Sequence, residues 1–177
     1  MSSSVLQDIA DTIASEFSDG TDTEQITRVV VRLLTAALLG GMLGWEREHQ
    51  GHAAGVRTHM LVAMGAALFV LVSQQIGMQA DDMSRVIQGV TAGVGFLCAG
   101  TILKGDRPGD VKGLTTAAGI WMTAAIGVAA GLGREFTALL GTLLALAILA
   151  LVPLVVKLFG KRQAPKVLSA DNADDGR

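Results

Sequence analysis

Charged residues in this 177-residue chain gather in three places, each able to do a different kind of chemistry. The first runs from Glu46, Arg47 and Glu48 to Arg57, Thr58 and His59; the second runs from Lys104 to Lys112, Gly113, Leu114, Thr115 and Thr116. Both are short loops between apolar runs, so opposite charges can pair across facing helix ends. An arginine can grip a carboxylate with two parallel hydrogen bonds where a lysine cannot. The expected link between the two loops therefore uses Arg57, with Glu46, Arg47 and Lys112 at the neighbouring helix ends. The third gathering holds Arg28, Arg32, Asp81, Asp82, Arg85 and Gln88. Arg28 and Arg32 share a helix face at a spacing where like charges repel, so this layer calls for an acidic partner, expected at Asp82, or an anionic ligand.

Catalytic and metal chemistry find little support. His49, His52 and His59 lie near Glu46 and Glu48, but Gly51 and Gly55 interrupt the helix between them and no zinc-type ligand spacing is preserved. No metal site is assigned. Asp81 and Asp82 remain as weak candidates, since one or two carboxylate oxygens without a closed cage hold hydrated magnesium poorly. No nucleophile stands beside a base, no glycine-rich loop cradles phosphate, and no paired carboxylates occur, so the chain reads as a non-enzyme without a cofactor. The single cysteine, Cys98, rules out an intrachain disulfide and reads as a small core hydrophobe. No basic run with interleaved aromatics points to nucleic acid.

The elements that position these residues are membrane helices. Hydrophobic residues make up 50% of the chain, charged residues 17%, and glycine 22 positions, well above the roughly 7% of average chains. A helix rises about 1.5 Å per residue, so about twenty apolar residues cross about 30 Å of hydrocarbon. Five spans follow, at 24–46, 58–77, 83–104, 113–132 and 135–157. Phe136 to Val156 is 21 residues without a charge, with Pro153 placed to kink or end it. Leu114 to Leu132 is rich in Ala, Gly and Thr, which suits contact between helices, and is expected at the centre of the bundle.

Residues 1–23 form an acidic tail that carries no Lys or Arg, and so lacks the basic leader of a signal peptide. Val5, Leu6, Ile9, Ile13 and Phe17 recur at helical spacing, with Ser4 and Gln7 as a capping box, which predicts a short amphipathic helix on the membrane surface. Thr21 and Glu24 repeat the signature, starting the first span near Asp22. Residues 24–157 form the transmembrane domain and 158–177 a tail. Nine basic residues (Arg47, Arg57, Lys104, Arg107, Lys112, Lys157, Lys161, Arg162 and Lys166) fall on one side, against Arg85 and Arg134 on the other. Basic residues resist translocation, which places the C-terminus in the cytoplasm and the N-terminus outside.

Two features inside the spans are not explained by lipid. Only 13 residues, about 20 Å, separate Leu33 from Trp45, so the first helix draws Arg32 into the bilayer, either snorkelling outward or paired with Glu24, Asp81 or Asp82. In the third span Gly89 and Gly93 form a small-xxx-small pair that permits close helix packing, while Gly93-Val94-Gly95 could instead break the helix and turn carbonyls toward a polar cavity. Gly41-Met42-Leu43-Gly44 leading to Gly55-Val56-Arg57-Thr58, and Gly95-Phe96-Leu97-Cys98 leading to Gly113-Leu114-Thr115-Thr116, hint at a parallel repeat of two hairpins.

The same residues carry a family resemblance. Gly41 to Glu48, Ala54 to His59, Gly65 to Phe69, Ser84-Arg85-Val86, Gly93 to Gly100 and Lys112 to Ala118 resemble the MgtC/SapB family of bacterial inner-membrane proteins, in order from about Val31 to Leu151. The resemblance implies an all-α protein with five transmembrane helices. It further implies a link to growth in low magnesium and survival inside host cells. Two modes of action follow from it, restraint of another membrane complex such as the proton-translocating ATP synthase, or transport of magnesium or another small solute. The absence of acidic residues between Asp82 and Asp106, and between Asp110 and Glu135, favours the regulator. Membrane lipids and a membrane-protein partner are implied, with a homo-oligomer left open. Cys98 stands where the family commonly has glycine, and residues 158–177 are too few for the soluble C-terminal domain of many members.

Overall fold

A computed structural model describes residues 2–16, 22–104 and 111–160. These form six helices, α1 (Ser2–Glu16), α2 (Thr23–His49), α3 (Val56–Gln75), α4 (Ala80–Ala99), α5 (Leu114–Gly131) and α6 (Glu135–Gly160), with a two-residue-per-strand hairpin of β1 (Leu103–Lys104) and β2 (Val111–Lys112) between α4 and α5. Four of them, α2, α3, α5 and α6 as far as Val156, are long and apolar enough to cross a membrane. The protein is therefore a multi-pass membrane protein. α4 has the length, but Asp82, Arg85 and Gln88 make its first turns polar.

The bundle lies in a first unit, residues 1–146. Its centre is the contact of α2, α3 and α5, closed by Ala36, Ala63, Ala66, Ala67, Val70 and Ile126, each at most 4% exposed. α5 touches α2, α3 and α4, as its Ala, Gly and Thr content suits, but α3 touches α2, α4 and α5 and shares the centre with it. Glycine sets the spacing. A Cβ on Gly40 would lie 2.6 Å from the His59 carbonyl oxygen and one on Gly44 2.6 Å from Val56 Cα. On α5 a Cβ at Gly127 would collide with the Ala63 carbonyl, and one at Gly131 would lie 2.7 Å from that of Ala67. Two small-xxx-small pairs, 40/44 and 127/131, thus hold α3 from both sides.

The pair expected to pack, Gly89 and Gly93, does not. A Cβ at either position meets nothing within 4 Å, because this face of α4 opens on an apolar groove of about 530 Å³ toward Leu61 and Phe69 of α3; one at Gly95, which does not line the groove, also meets nothing. Nor does Gly93-Val94-Gly95 break the helix, since α4 runs unbroken from Ala80 to Ala99. It ends five residues short of the expected 104, where the chain turns into β1; Leu103 pairs with Lys112 and Lys104 with Val111. Gly113 then starts α5 with φ +90°, and a Cβ there would overlap the Thr101 carbonyl, so only glycine fits.

Other boundaries shift for local reasons. α2 is capped by Asp22, whose carboxylate accepts from Glu24 N at 3.0 Å, and it extends to His49. Thr21 lies outside the described residues. α1 begins at Ser2, so Ser4 is inside the helix and not its cap. Its apolar face, Val5, Leu6, Ile9 and Ile13, is exposed, and Phe17 lies outside the described residues. In the second unit, residues 147–177, the described part is the remainder of α6, which passes Pro153 without ending.

Candidate functional site

Two polar layers close the ends of the α2–α3–α5 contact, and each is built on one arginine. At the end where α2 passes into α3, Arg47 follows Gly40 and Gly44 on the same helix face and is carried with them against the neighbouring helices. It is 3% exposed. Its guanidinium lies 3.5 Å from Glu46 Oε2, while its Nε has no hydrogen-bond partner among the described residues. Glu46 also accepts from the Gln50 side chain through Oε1. Glu48 reaches over the turn and accepts from Val56 N at 2.9 Å, placing a carboxylate at the positive start of α3. His59 is fully buried one turn on; its Nδ1 lies 2.9 Å from the Gly55 carbonyl and its Nε2 has no partner.

Of the expected link between the two loops, Asp106 and Asp110 lie outside the described residues. Arg57 is exposed and makes no ion pair among the described residues, whereas its neighbour in the cluster, Arg47, is the buried one. Arg57 lies two residues from His59 on α3, so the turn that buries His59 carries Arg57 outward. Thr58 is half-buried, Lys112 and Thr115 are exposed on the second connection, and Thr116 is buried on α5. Cys98 is 8% exposed and donates its S–H to the Ala117 carbonyl at 3.1 Å, packed with Ala54 and Ile120, so it is the core residue expected. His49, His52 and His59 do not converge. Among the described residues no three His, Cys, Asp or Glu side chains could hold one metal ion, Asp81 and Asp82 included.

At the opposite end Arg32 is 15% exposed and its ion pair is with Glu135, not Asp82. It donates to Gln74 Oε1 at 2.6 Å and to the Gly131 carbonyl at 2.9 Å, and its Nε lies 3.9 Å from Glu135. One side chain thus ties α2 to the ends of α3 and α5 and the start of α6. These partners escaped the sequence reading because they lie 42 and 99 residues away; the available signal was Gln74-Gln75 ending an apolar span. Arg28 pairs with Glu24 at 2.7 Å, Asp82 lies 4.0 Å from Arg85 in an exposed pair, and Gln88 is exposed.

The sequence profile of the MgtC family matches residues 33–158. The chain belongs to the MgtC/SapB family. Over 122 residues it is 49% identical to protein SrpB of Synechococcus elongatus, covering 63% of this chain and 67% of that one. It is 42% identical over 130 residues to the putative magnesium transporter YhiD of Escherichia coli K12, covering 68% and 58% of the two chains. It is also 42% identical over 117 residues to protein MgtC of Salmonella typhimurium, covering 66% and 49%. The matches thus span about half to two thirds of these relatives. No solved structure matches. The family match takes in Arg47, His59, Cys98 and Gly113, and begins one residue after Arg32.

Proposed function

We propose that this protein is a five-span inner-membrane protein of magnesium homeostasis, with its N-terminus outside and its C-terminus in the cytoplasm, that acts by binding another membrane complex. The proton-translocating ATP synthase is the partner the family resemblance suggests. The fifth span is α4, whose 20 residues supply the length and whose polar first turns lie at the headgroup level. The observation that carries the regulator reading is the closure of the α2–α3–α5 contact. Glycines bring its backbones together, and an arginine stands at each end, Arg32 half-buried and Arg47 buried. Two fixed positive charges on that axis repel a divalent cation at close range in a poorly solvated setting.

A second reading, transport of magnesium or another small solute, draws on the printed description of YhiD and on the polar pocket beside Arg28 and Arg32. Proteoliposomes loaded with a magnesium indicator separate the two. A regulator gives no entry above empty vesicles, and the tagged chain recovers ATP synthase subunits from membranes grown in low magnesium. Saturable magnesium entry would overturn the regulator reading.

A further inference from the structure

The pocket at the Arg32 end is polar, unlike the apolar groove between α3 and α4, and its chemistry is mixed. Its volume is about 290 Å³, at the small end of ligand sites. Asp22, Glu24, Arg28, Arg32 and Gln74 line it, with Val29 and Leu71 supplying apolar surface. Arg32 and Gln74 are fixed against each other, and since the Gln74 oxygen is occupied by Arg32, its amide N–H groups are left as donors. Asp22 and Glu24 belong to the first turn of α2. Arg28 lies about 6 Å farther along the axis and Arg32 about 6 Å beyond that. The pocket therefore descends from the water-facing start of a spanning helix toward hydrocarbon, presenting carboxylates at the top and guanidinium and amide donors below.

We infer that this pocket binds a group carrying both a phosphate and a primary ammonium, the chemistry of phosphoethanolamine. A purely anionic ligand meets Asp22 and Glu24, and a purely cationic one meets Arg28 and Arg32. Glu24 and Arg28 pair with each other at 2.7 Å on an exposed turn, and a ligand with both charges exchanges that pair for bonds to each, with its phosphate at the guanidinium and amide donors and its ammonium donating to the carboxylates. A quaternary trimethylammonium has no N–H to donate, so the pocket distinguishes the two common zwitterionic headgroups. The depth suits a phospholipid whose chains continue along the exposed Val30 and Leu34 of α2, although the same chemistry exists in a free phosphomonoester. The inference stands apart from the identity of any protein partner.

The test uses the full chain in detergent. Its melting temperature is measured against short-chain phosphatidylethanolamine, matched phosphatidylcholine and phosphatidylglycerol, and water-soluble phosphoethanolamine. The expected result is a saturable rise with phosphatidylethanolamine at concentrations at least fivefold below those needed for the other two lipids. That preference should be lost in Arg28→Gln and in Glu24→Gln, both on an exposed turn that leaves folding intact. A response to soluble phosphoethanolamine at matching concentrations identifies a free solute as the source, and a response only to the lipid identifies the headgroup. Equal shifts with phosphatidylethanolamine and phosphatidylcholine overturn the inference, as do equal shifts with phosphatidylglycerol, no shift at all, or an unchanged preference in both variants.

Discussion

Arg32 and Arg47 occupy matching places at the two ends of one helix contact, yet their surroundings differ. Arg32 is the better partnered, with one guanidinium nitrogen bonded to an amide oxygen and a backbone carbonyl within 2.9 Å and its Nε 3.9 Å from a carboxylate. Arg47 is more deeply buried and less well partnered, with one carboxylate at 3.5 Å, an orphaned Nε, and the orphaned Nε2 of His59 in the same layer. A buried donor without a partner costs about 1–3 kcal/mol. Among the described residues that cost falls at the Arg47 end. The bonds of Arg32 tie helix ends together and serve stability, while the buried and unpartnered Nε of Arg47 marks a place where a rearrangement or another group can supply the bond.

The sharpest way to break this contrast is to replace each arginine with leucine. Arg32→Leu strands the Gln74 oxygen, the Gly131 carbonyl and Glu135, and we expect a loss of about 2–4 kcal/mol in unfolding from detergent. Arg47→Leu frees only Glu46, which is 18% exposed and still holds Gln50, so the stability loss should be less than half as large. Low-magnesium complementation should fail nevertheless, with Arg47→Lys restoring it in part. If Arg47→Leu destabilised as much as Arg32→Leu, or left complementation intact, the assignment of separate roles would fall.

Next in size come the glycines. Gly44→Ala and Gly127→Ala each push a methyl into backbone and should cost about 1–3 kcal/mol by overpacking. Gly93→Ala adds a methyl to open space and should leave the isolated chain within about 0.5 kcal/mol. Thermal melts of the three variants, run together, decide it. A large loss at Gly93 would mean that α4 is covered by something the single chain does not show.

These glycines also mark how far the sequence can be read. Gly40/Gly44, Gly89/Gly93 and Gly127/Gly131 have the same local signature, and nothing within four residues of each tells which pairs meet a neighbour. Arg47 was legible in principle, since Gly40, Gly44 and Arg47 fall at i, i+4 and i+7 on one face. Charge type drew attention to Arg57 instead, where the helical face should have decided. Apolar length fixed α2, α3, α5 and α6 well, because the bilayer requirement acts along one helix at a time. The partners of Arg32 depended on how helix ends 42 and 99 residues away come together, which periodicity does not encode.

Glu48 offers a smaller test at the Arg47 end. Its carboxylate stands at the first free N–H of α3, and Glu48→Gln keeps a hydrogen-bond acceptor there while removing the charge. The loss should be about 0.3–1 kcal/mol, and it should shrink as salt is raised because the residue is exposed. A salt-independent loss would show that geometry, and not the helix dipole, makes the contact.

The smallest effects are expected from the charges that a reading of the sequence would rank highest. Asp82 and Arg85 are 63% and 83% exposed and 4.0 Å apart, so their pair is worth about 0–1 kcal/mol, and Arg57 has no partner among the described residues to lose. A double-mutant cycle of Asp82→Asn and Arg85→Gln should therefore be additive within about 0.5 kcal/mol, and Arg57→Ala should melt with the parent protein. Activity is the sharper measurement for Arg57. Its exposed place beside the buried Arg47 layer puts it where a partner complex can reach it, so Arg57→Ala should weaken recovery of that partner without lowering stability. Unchanged recovery and unchanged complementation together would make Arg57 a solvated turn residue and leave Glu46, Arg47 and His59, each with an unpartnered buried atom, as the groups of that layer with bonds still to form among the described residues.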